Sequence, residues 1–256
     1  MACKVFVDGR EGTTGLQIIE RLSKRRDIQL LEIDADKRKD SAERKRFINQ
    51  ADIVFLCLPD DAAKESVSLV ENESVRIIDA STAHRTNDQW AYGLPELSPA
   101  HREKIRNSKR VAVPGCYATG FNVLLYPLIE NGIVPRDYPV TCHAVSGYSG
   151  GGKKMIAQYE TPEELGEEMK SPRFYSLGLA HKHLPEMQKV CGLEHPPIFT
   201  PIVGPYYQGM IVAIPLFTRL LPHGRSAEYI SGFLADYYKD EHFITVFPYG
   251  TEGNVK

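Results

Sequence analysis

The sequence predicts an α/β protein in which a doubly wound domain on a parallel sheet is followed by a second domain of the α+β class. In the first half of the 256 residues, short and continuously apolar runs alternate with amphipathic segments. This alternation is typical of a parallel sheet covered by helices on both faces. In the second half, apolar runs follow one another without a helix between them, which indicates a mixed sheet.

Four apolar runs of the first half are predicted strands, and the amphipathic segments between them are predicted helices. The strands are Lys4–Val7, Ile28–Ile33, Ile53–Leu58 and Val75–Asp79, and the helices are Gly15–Lys24, Ser41–Asn49 and Ala62–Glu71. Because crossovers between parallel strands are right-handed, these elements predict a doubly wound Rossmann domain.

The second half begins at a strand, Arg110–Val113, that Pro114-Gly115 ends. We place the domain boundary there, with a nucleotide-binding domain over residues 1–114 and a catalytic domain over residues 115–256. The later predicted strands are Val140–Val145, Ile198–Val203, Met210–Pro215 and Phe243–Phe247, and the predicted helices run from about Tyr117 to Glu130, around Lys154–Glu160 and over Ser226–Tyr238.

Composition and charge narrow the class of function. The formal net charge is −2, so a nucleic-acid partner is not expected. No apolar stretch approaches the ~20 residues that span a bilayer, and the N-terminal residues read as a strand instead of a signal peptide. The five cysteines are widely spaced without a CxxC pair, which predicts reduced thiols and no metal site. We expect a cytoplasmic protein that acts on a small molecule.

A glycine-rich turn follows the first predicted strand and opens a helix. Gly9, Gly12 and Gly15 have the spacing GxxGxxG, a variant of the dinucleotide-binding GxGxxG, and Thr13 and Thr14 lie within it. Such a turn lets the backbone approach a pyrophosphate at the positive end of the helix. The motif alone is weak, and a plain tight turn is the alternative; its position between a strand and a helix favours the cofactor.

Charged residues follow the second predicted strand, where the adenosine ribose of a dinucleotide lies. Asp34 favours a free 2′-hydroxyl and therefore NAD, whereas Lys37, Arg38 and Lys39 favour the 2′-phosphate of NADP. A solvated run of charges is an equally good explanation. The residues by themselves leave the choice of cofactor open.

Cys116 stands between a strand end and a helix start, in the segment PGCYAT. A helix N-terminus carries a partial positive charge and unbonded N–H groups, which favour a thiolate and could hold an oxyanion. Gly115 removes a side chain that would crowd the approach. Cys57 and Cys142 lie inside apolar strands, so they are predicted to be core residues. We therefore predict that Cys116 is a nucleophile.

A nucleophilic cysteine requires a proton donor or acceptor, and the densest histidine cluster is HKHLPE. Here His181 or His183 is a candidate general acid or base, with Glu186 orienting it. A solvated basic loop is the alternative. Two histidines at this spacing could also bind a metal from a strand, but no third ligand is suggested nearby.

These residues match a known family. The chain resembles the short form of N-acetyl-gamma-glutamyl-phosphate reductase, from the semialdehyde dehydrogenase superfamily. The resemblance covers nearly the whole chain, and PGCYAT and HKHLPE are its most specific segments. The other matching segments are GREGTTGLQI, DASTAHRT, YGLPEL, SGYSGGGKK and FTPIVGPYYQGM.

The resemblance implies an arginine-biosynthesis reaction. Cys116 attacks the acyl phosphate and expels phosphate, NADPH reduces the resulting thioester, and N-acetylglutamate 5-semialdehyde is released. His181 is then the general acid/base, with His183 as the second candidate and Glu186 as a supporting residue. The family's cofactor is NADP, which favours a phosphate contact at Lys37 and Arg38.

The resemblance also implies binding residues and an assembly. Arg85 and Ser81 match a segment near the family's active site and are candidate substrate ligands, with Arg85 binding an anion. Ser146 and Gly147 are expected near the nicotinamide, although a flexible connector is an alternative. A homodimer or homotetramer is expected, but the residues do not determine the oligomeric state.

Family members continue beyond the position of Lys256, with a glycine-rich turn and a helix that pack on the nucleotide domain. Either the sequence is truncated, or a short chain has a weakened cofactor site and exposed apolar surface. A competing enzyme hypothesis is an aspartate-semialdehyde dehydrogenase, which PGCYAT and HKHLPE disfavour. Two hypotheses from different classes of protein are a non-catalytic NADP-binding or dimerisation module and a thiol redox sensor built on Cys116.

Overall fold

The computed structural model describes residues 2–10, 13–161 and 166–253. The chain divides into two compact units, each with its own sheet. The first unit comprises Met1–Pro95 and Ala100–Pro114, and the second comprises Glu96–Pro99 and Gly115–Lys256. The main change of unit therefore falls between Pro114 and Gly115, directly before the candidate nucleophile.

The first unit contains a six-stranded sheet in which all pairs are parallel. Its strands are β1 (Cys3–Asp8), β2 (Ile28–Leu31), β3 (Ile53–Leu56), β4 (Arg76–Asp79), β5 (Ala91–Tyr92) and β6 (Arg110–Ala112), and the accompanying helices are α1 (Thr13–Ser23), α2 (Ser41–Gln50), α3 (Asp60–Ser68) and α4 (Pro99–Asn107). The order β2-β1-β3-β4-β6-β5 reverses direction at β1. Doubly wound sheets bind ligands at such a point, beyond the carboxyl ends of the strands.

The central strands carry the core of this unit because both of their faces are covered. Phe6, Val54 and Ile77 are almost fully buried in one apolar cluster. Asp40 begins α2 by accepting hydrogen bonds from the backbone N–H groups of Ala42 and Glu43, which satisfies two donors that a helix start leaves unpaired.

The second unit contains a mixed four-stranded sheet. Its strands are β7 (Thr141–Gly147), β8 (Arg173–Phe174), β9 (Ile198–Gly204) and β10 (Met210–Ala213), and its helices are α5 (Cys116–Glu130), α6 (Gly152–Glu160), α7 (Leu184–Cys191) and α8 (Ala227–Tyr238). The order is β10-β7-β9-β8, with a parallel central pair and antiparallel pairs at both edges.

The two faces of this sheet differ. Cys142 and Ala144 point into a core that α5, α7 and α8 complete, and Gly120 lets α5 approach Val212, since a Cβ there would lie 2.7 Å from its Cγ2. Alternate residues form the opposite face, which no described helix of the core cluster covers. Strand register aligns one apolar row across that face: Phe174, Ile202, Val145 and Ile211.

The predicted α/β fold class is confirmed, and the predicted strands and helices of the first unit are present with small changes at their ends. The predicted strand Phe243–Phe247 is wrong: these residues form turns and irregular backbone, and Phe243 and Phe247 are exposed. An apolar run lacking neighbours for its backbone groups cannot form a strand. Among the described segments, no helix has the length and apolar character needed to cross a bilayer.

Candidate active site and dinucleotide cavity

Cys116 is the first residue of α5, a helix of fifteen residues, and its side chain is exposed. Gly115 precedes it with an extended backbone, so the chain turns into the helix at the sulfur. The positive end of the helix dipole and the first helical N–H groups therefore lie next to Sγ. This placement matches what a cysteine nucleophile requires.

The other four cysteines have less reactive surroundings. Burial raises the pKa of Cys57 to about 11 and that of Cys142 to about 12. Burial also raises the pKa of Cys191, which lies in the core, and that of Cys3. Because the thiolate is the reactive form, Cys116 is the best placed of the five to act as a nucleophile.

Glu186 connects the two most specific sequence segments. It lies in the first turn of α7, is 1% exposed, and its Oε1 accepts a hydrogen bond of 2.7 Å from the backbone N–H of Gly115. The bond joins HKHLPE to PGCYAT. The sequence predicted Glu186 as a partner of a histidine, which stays a prediction; the observed bond holds the backbone immediately before Cys116.

His181 and His183 lie in a turn before α7 and not on a strand. The backbone N–H of His183 donates to Nδ1 of His181 at 3.1 Å, so a neutral His181 ring carries its proton on Nε2. Burial, and then the charge of Lys182, lower the pKa of His181. The ring of His183 is buried and lies edge-on to His181, with 4.7 Å between the ring centroids.

Aromatic rings bring His181 close to the start of α5. The centroid of the Tyr117 ring lies 5.8 Å from that of His181, and the Tyr175 ring lies 6.1 Å from it. Tyr175 donates to the Tyr117 hydroxyl at 2.8 Å, and the Tyr117 and Ser146 hydroxyls are 2.6 Å apart. Sequence analysis missed both tyrosines. The position of Tyr117 directly after Cys116 was the available signal.

Gly147 has a structural reason to be glycine. A Cβ there would lie 2.6 to 2.7 Å from backbone atoms of Tyr206, Tyr207 and Gln208. Its N–H donates to the carbonyl oxygen of Gly209 at 3.0 Å. The glycine is therefore required by the close approach of its own chain, whether or not a nicotinamide also lies near it.

A cavity of about 890 Å³ opens in the first unit at the carboxyl end of β1. It is lined by Gly9, Arg10, Asp36, Arg38 and Lys39, together with Val7, Asp8, Ile33, Ala35, Arg44, Cys57, Leu58, Pro59, Ala62 and Glu65. It lies at the switch point of the sheet and has cations on its wall. This is the arrangement that a doubly wound domain uses for a dinucleotide.

The glycine turn at this cavity tolerates no larger residue at two positions. Gly9 has φ +90°, and a Cβ there would lie 2.3 Å from the carbonyl oxygen of Cys57. A Cβ at Gly15 would lie 2.5 Å from the carbonyl oxygen of Gly9. Helix α1 begins at Thr13 and includes Thr14, while Gly12 lies outside the described residues. The cradle therefore fits a pyrophosphate.

Only some of the cations predicted to contact the adenosine ribose line the cavity. Arg38 and Lys39 line the cavity, whereas Lys37 and Asp34 lie outside its lining. A buried arginine that the sequence did not reveal is also present. Arg44 pairs with Asp8 at 3.1 Å and with Glu65 at 3.3 Å, which neutralises the carboxylate at the end of β1.

The two predicted substrate ligands are held in the loop after β4. Arg85 donates to the carbonyl oxygens of Val113, at 2.8 Å, and Ala80, at 3.0 Å. The Ser81 hydroxyl donates to the buried Asp79 at 2.7 Å, so its proton is used within the loop. Asp79 also pairs with Nδ1 of His84 at 2.6 Å. Neither Asp79 nor His84 was singled out from the sequence.

Two family models match nearly the whole chain. Residues 4–107 match "Semialdehyde dehydrogenase, NAD binding domain", and residues 116–256 match "Semialdehyde dehydrogenase, dimerisation domain". The first match agrees with the dinucleotide cavity, and the second covers the whole of α5 and the mixed sheet.

Similar proteins carry a specific name. "N-acetyl-gamma-glutamyl-phosphate reductase 2" of Nostoc sp. is 49% identical over 96% of this chain and 77% of its own length. "N-acetyl-gamma-glutamyl-phosphate reductase" of Burkholderia cenocepacia is 48% identical over 95% of this chain and 78% of its own length.

Solved structures of lower identity share the fold. Aspartate semialdehyde dehydrogenase II from Vibrio cholerae superposes with a TM-score of 0.66 at 15% identity, over 93% of this chain and 79% of that one. Aspartate semialdehyde dehydrogenase with NADP from Candida albicans gives a TM-score of 0.60 at 16% identity, over 93% of this chain and 77% of that one.

Proposed function

The chain belongs to the semialdehyde dehydrogenase family, and within it to the N-acetyl-gamma-glutamyl-phosphate reductases, and from this membership we propose that it reduces N-acetyl-gamma-glutamyl phosphate to N-acetylglutamate 5-semialdehyde and releases phosphate. The observation that carries the proposal is the exposed sulfur of Cys116 at the start of α5, in the segment that Glu186 ties to the histidine turn. We assign cofactor binding to residues 1–114 and catalysis to residues 115–256.

The covalent steps take place on Cys116. Its thiolate attacks the carbonyl carbon of the acyl phosphate, and the bond from that carbon to the phosphate oxygen breaks. Phosphate departs, and the acyl group remains on Sγ as a thioester. When bound, the reduced nicotinamide cofactor supplies the hydride that reduces the thioester. The carbon–sulfur bond then breaks, which releases the aldehyde and restores the thiolate. The first N–H groups of α5 support the negative charge that develops on the substrate oxygen.

His181 is the proposed general acid/base, and its neutral ring acts as a hydrogen-bond donor. Its Nδ1 accepts the N–H of His183, so the neutral ring presents Nε2–H to a reacting oxygen or to the departing phosphate. Because partial burial and Lys182 lower the pKa of His181, the neutral form of the ring is favoured. His183 then acts on His181 through its backbone, and Glu186 acts on Cys116 through Gly115. Arg85 remains the proposed anion ligand, whereas the Ser81 hydroxyl is used in the hydrogen bond to Asp79 within its own loop.

We infer that the cofactor is NADP. The proposed ligands are Gly9, Gly15 and the N-terminus of α1 for the pyrophosphate, and Arg38 and Lys39 for the 2′-phosphate. The carboxylate of Asp36 also lines the cavity, so the two cations are needed to make that end of the cavity attractive to an anion.

A homodimer is the proposed assembly, in the cytoplasm, and the open face of the second unit's sheet is its proposed interface. Phe174 is 58% exposed, Ile198 52% and Ile211 39%, on a face that also carries Val145 and Ile202. An apolar sheet face of this kind requires a partner surface. A second copy supplies one because a two-fold axis brings the same patch onto itself.

The test is turnover in the reverse direction with N-acetylglutamate 5-semialdehyde, phosphate and NADP. We expect activity with the natural chain and loss of at least about 10³-fold in Cys116→Ser, because an alcohol is a far weaker nucleophile. Cys3→Ser, at a cysteine outside the cavity lining, is the control and should change turnover little. Turnover by Cys116→Ser at the wild-type rate would rule out the thioester mechanism. Faster turnover of aspartate semialdehyde than of the acetylated substrate would assign the chain to the other branch of the family.

A further inference from the structure

The hydroxyl groups of Tyr175, Tyr117 and Ser146 form a continuous hydrogen-bonded chain in the second unit. The Tyr175 hydroxyl donates to the Tyr117 hydroxyl at 2.8 Å, and the Tyr117 oxygen lies 2.6 Å from Oγ of Ser146. Tyr117 is 3% exposed and Ser146 is 8% exposed, so the central and final members are shielded from bulk water. Tyr117 is also the residue that directly follows the candidate nucleophile.

Each hydroxyl can donate only one hydrogen bond, so the hydroxyl chain has a direction of donation. Tyr175 gives its proton to Tyr117, so cooperativity favours Tyr117 giving its own to Ser146. Ser146 then keeps its proton for another acceptor, and no hydrogen bond among the described residues uses it. Burial raises the pKa of both tyrosines, which keeps the two phenols protonated and preserves this direction.

We propose that Tyr117 and Tyr175 are positioning residues that orient the Ser146 hydroxyl as a hydrogen-bond donor to an amide carbonyl oxygen of a bound ligand. A relay of three neutral hydroxyls provides a directed donor without a charge, which suits a neutral carbonyl oxygen better than a phosphate or carboxylate. This inference rests on the proposed function, where such an oxygen has two sources: the acetamido group of the substrate and the carboxamide of the nicotinamide.

The substitution Tyr117→Phe tests the contribution of the Tyr117 hydroxyl separately from that of its ring. The Tyr117 ring packs edge-on against His181, His183 and Phe199, with centroids 5.1 to 5.9 Å away, and phenylalanine keeps these contacts. Tyr238→Phe is the matched control, because Tyr238 is equally buried in the same unit and its hydroxyl donates to the carbonyl oxygen of Val123 at 2.7 Å. Tyr117→Phe removes the two hydrogen bonds of its hydroxyl, with Tyr175 and Ser146, and Tyr238→Phe removes one, so the control accounts for the loss of a buried tyrosine hydroxyl.

The experiment measures discrimination between paired ligands in the reverse reaction. N-acetylglutamate 5-semialdehyde is compared with 5-oxopentanoate, which lacks the acetamido group, and NADP is compared with thio-NADP, whose sulfur is a weak acceptor. In Ser146→Ala and Tyr117→Phe, we expect one of these two preferences to fall by about 3- to 10-fold, as the loss of a neutral hydrogen bond predicts. The preference that falls identifies the source of the oxygen.

Tyr238→Phe should leave both preferences unchanged. The double variant Tyr117→Phe/Ser146→Ala should discriminate no less than Ser146→Ala alone, because the tyrosine acts through the serine. Unchanged preferences in Ser146→Ala would overturn the inference, and so would additive effects in the double variant. Turnover of the semialdehyde by the natural chain is measured in the same series, so a failure of the proposed function is recognised separately.

Discussion

The carboxylate of Glu186 accepts a hydrogen bond from the backbone N–H of Gly115, the residue before the candidate nucleophile, across 71 positions of the chain. Because Glu186 is almost fully buried, its removal leaves that N–H without an acceptor inside the second unit. A buried and unsatisfied donor costs about 1–3 kcal/mol. The bond therefore contributes both to the stability of the unit and to the position of Cys116.

We predict that Glu186→Ala lowers the free energy of unfolding by about 1–3 kcal/mol and lowers kcat by more than tenfold, since Sγ is no longer fixed. Glu186→Gln keeps an acceptor oxygen and should recover most of both losses. Glu194→Ala, an exposed carboxylate of the same unit, is the control. Denaturant titration and steady-state kinetics provide the two readouts. Wild-type kcat in Glu186→Ala would show that the bond has no effect on the cysteine.

A second prediction concerns the acidic side of the pH profile of kcat/KM. Protonation of His181 places a hydrogen on Nδ1, which accepts the N–H of His183 in the structure, so the proposed role of His181 requires the neutral ring. Since burial and Lys182 lower its pKa, we expect activity to persist as the pH falls through about 6.5, the ordinary histidine value, and to decline only below it.

Lys182→Gln removes the second cause of this shift and should move the acidic limb toward higher pH. Lys239→Gln, at the end of α8, should leave it in place. His181→Ala should lower kcat by roughly 10²–10⁴-fold and abolish the limb. A limb at or above pH 6.5 in the natural chain would contradict the proposed role of His181, and an equal loss found only in His183→Ala would transfer it.

The glycine turn provides a third prediction, with an internal control. Gly9→Ala forces a side chain onto a residue at φ +90° and onto the carbonyl oxygen of Cys57. Gly132 also has a positive φ, of +66°, but nothing lies within 4 Å of its added Cβ. Both variants place a Cβ on a residue with positive φ, which costs about 1–2 kcal/mol, and only the first adds a clash.

We therefore expect Gly9→Ala to lower the melting temperature further than Gly132→Ala and to raise the KM for NADP strongly. Gly132→Ala should leave the KM for NADP unchanged. Thermal denaturation with and without cofactor separates the two effects, because a ligand that binds the native state raises the melting temperature. If the cofactor raised the melting temperature equally in both variants, the glycine turn would not be part of the cofactor site.

In the proposed function, Arg38 and Lys39 bind the 2′-phosphate and so favour NADP over NAD. Charge-assisted hydrogen bonds contribute about 1.5–3 kcal/mol, so Arg38→Ala/Lys39→Ala should raise the KM for NADPH by about 10- to 100-fold and barely change the KM for NADH. Lys37→Ala is the control, because Lys37 lies outside the cavity lining. Kinetics with the two reduced cofactors decide the matter. A preference for NADH in the natural chain would reverse the assignment.

The sequence predicted the elements whose formation depends on local pattern. The strands around Val5 and Val54 are continuous apolar runs, and Cys116 was recognisable because Pro114-Gly115 marks a strand end before an apolar helix. Contacts between distant residues were not predictable, since no spacing rule relates them. The bond from Glu186 to Gly115, the pair of Arg44 with Asp8, and the hydroxyl chain through Tyr175 all depend on packing across the sheets.

Short edge strands were missed for a related reason. β5 and β8 contain two residues each, too few to show an alternating pattern, and they form because a neighbouring strand offers free backbone groups. The opposite error occurred at Phe243–Phe247, where apolar residues suggested a strand although no neighbouring strand pairs with it among the described residues. Apolar composition therefore predicts a strand only where a pairing partner is available.

The open sheet face provides the last prediction. Ile211 stands at one end of the apolar row and is already 39% exposed, so lysine in its place costs the isolated unit little. In a homodimer built through this face, the same lysine would be buried against apolar residues and would be strongly unfavourable. We expect Ile211→Lys to sediment as a monomer at micromolar concentration while its circular dichroism spectrum stays unchanged.

Phe243→Lys is the matched control because Phe243 is 84% exposed and belongs to the same unit, but is not part of a strand of the sheet. It should sediment as the natural chain does. Since both variants replace an exposed apolar side chain by the same cation, a change of solubility or charge alone would affect them equally. A dimer that persists in Ile211→Lys and dissociates in Phe243→Lys would place the interface on the segment after α8 instead of on the sheet.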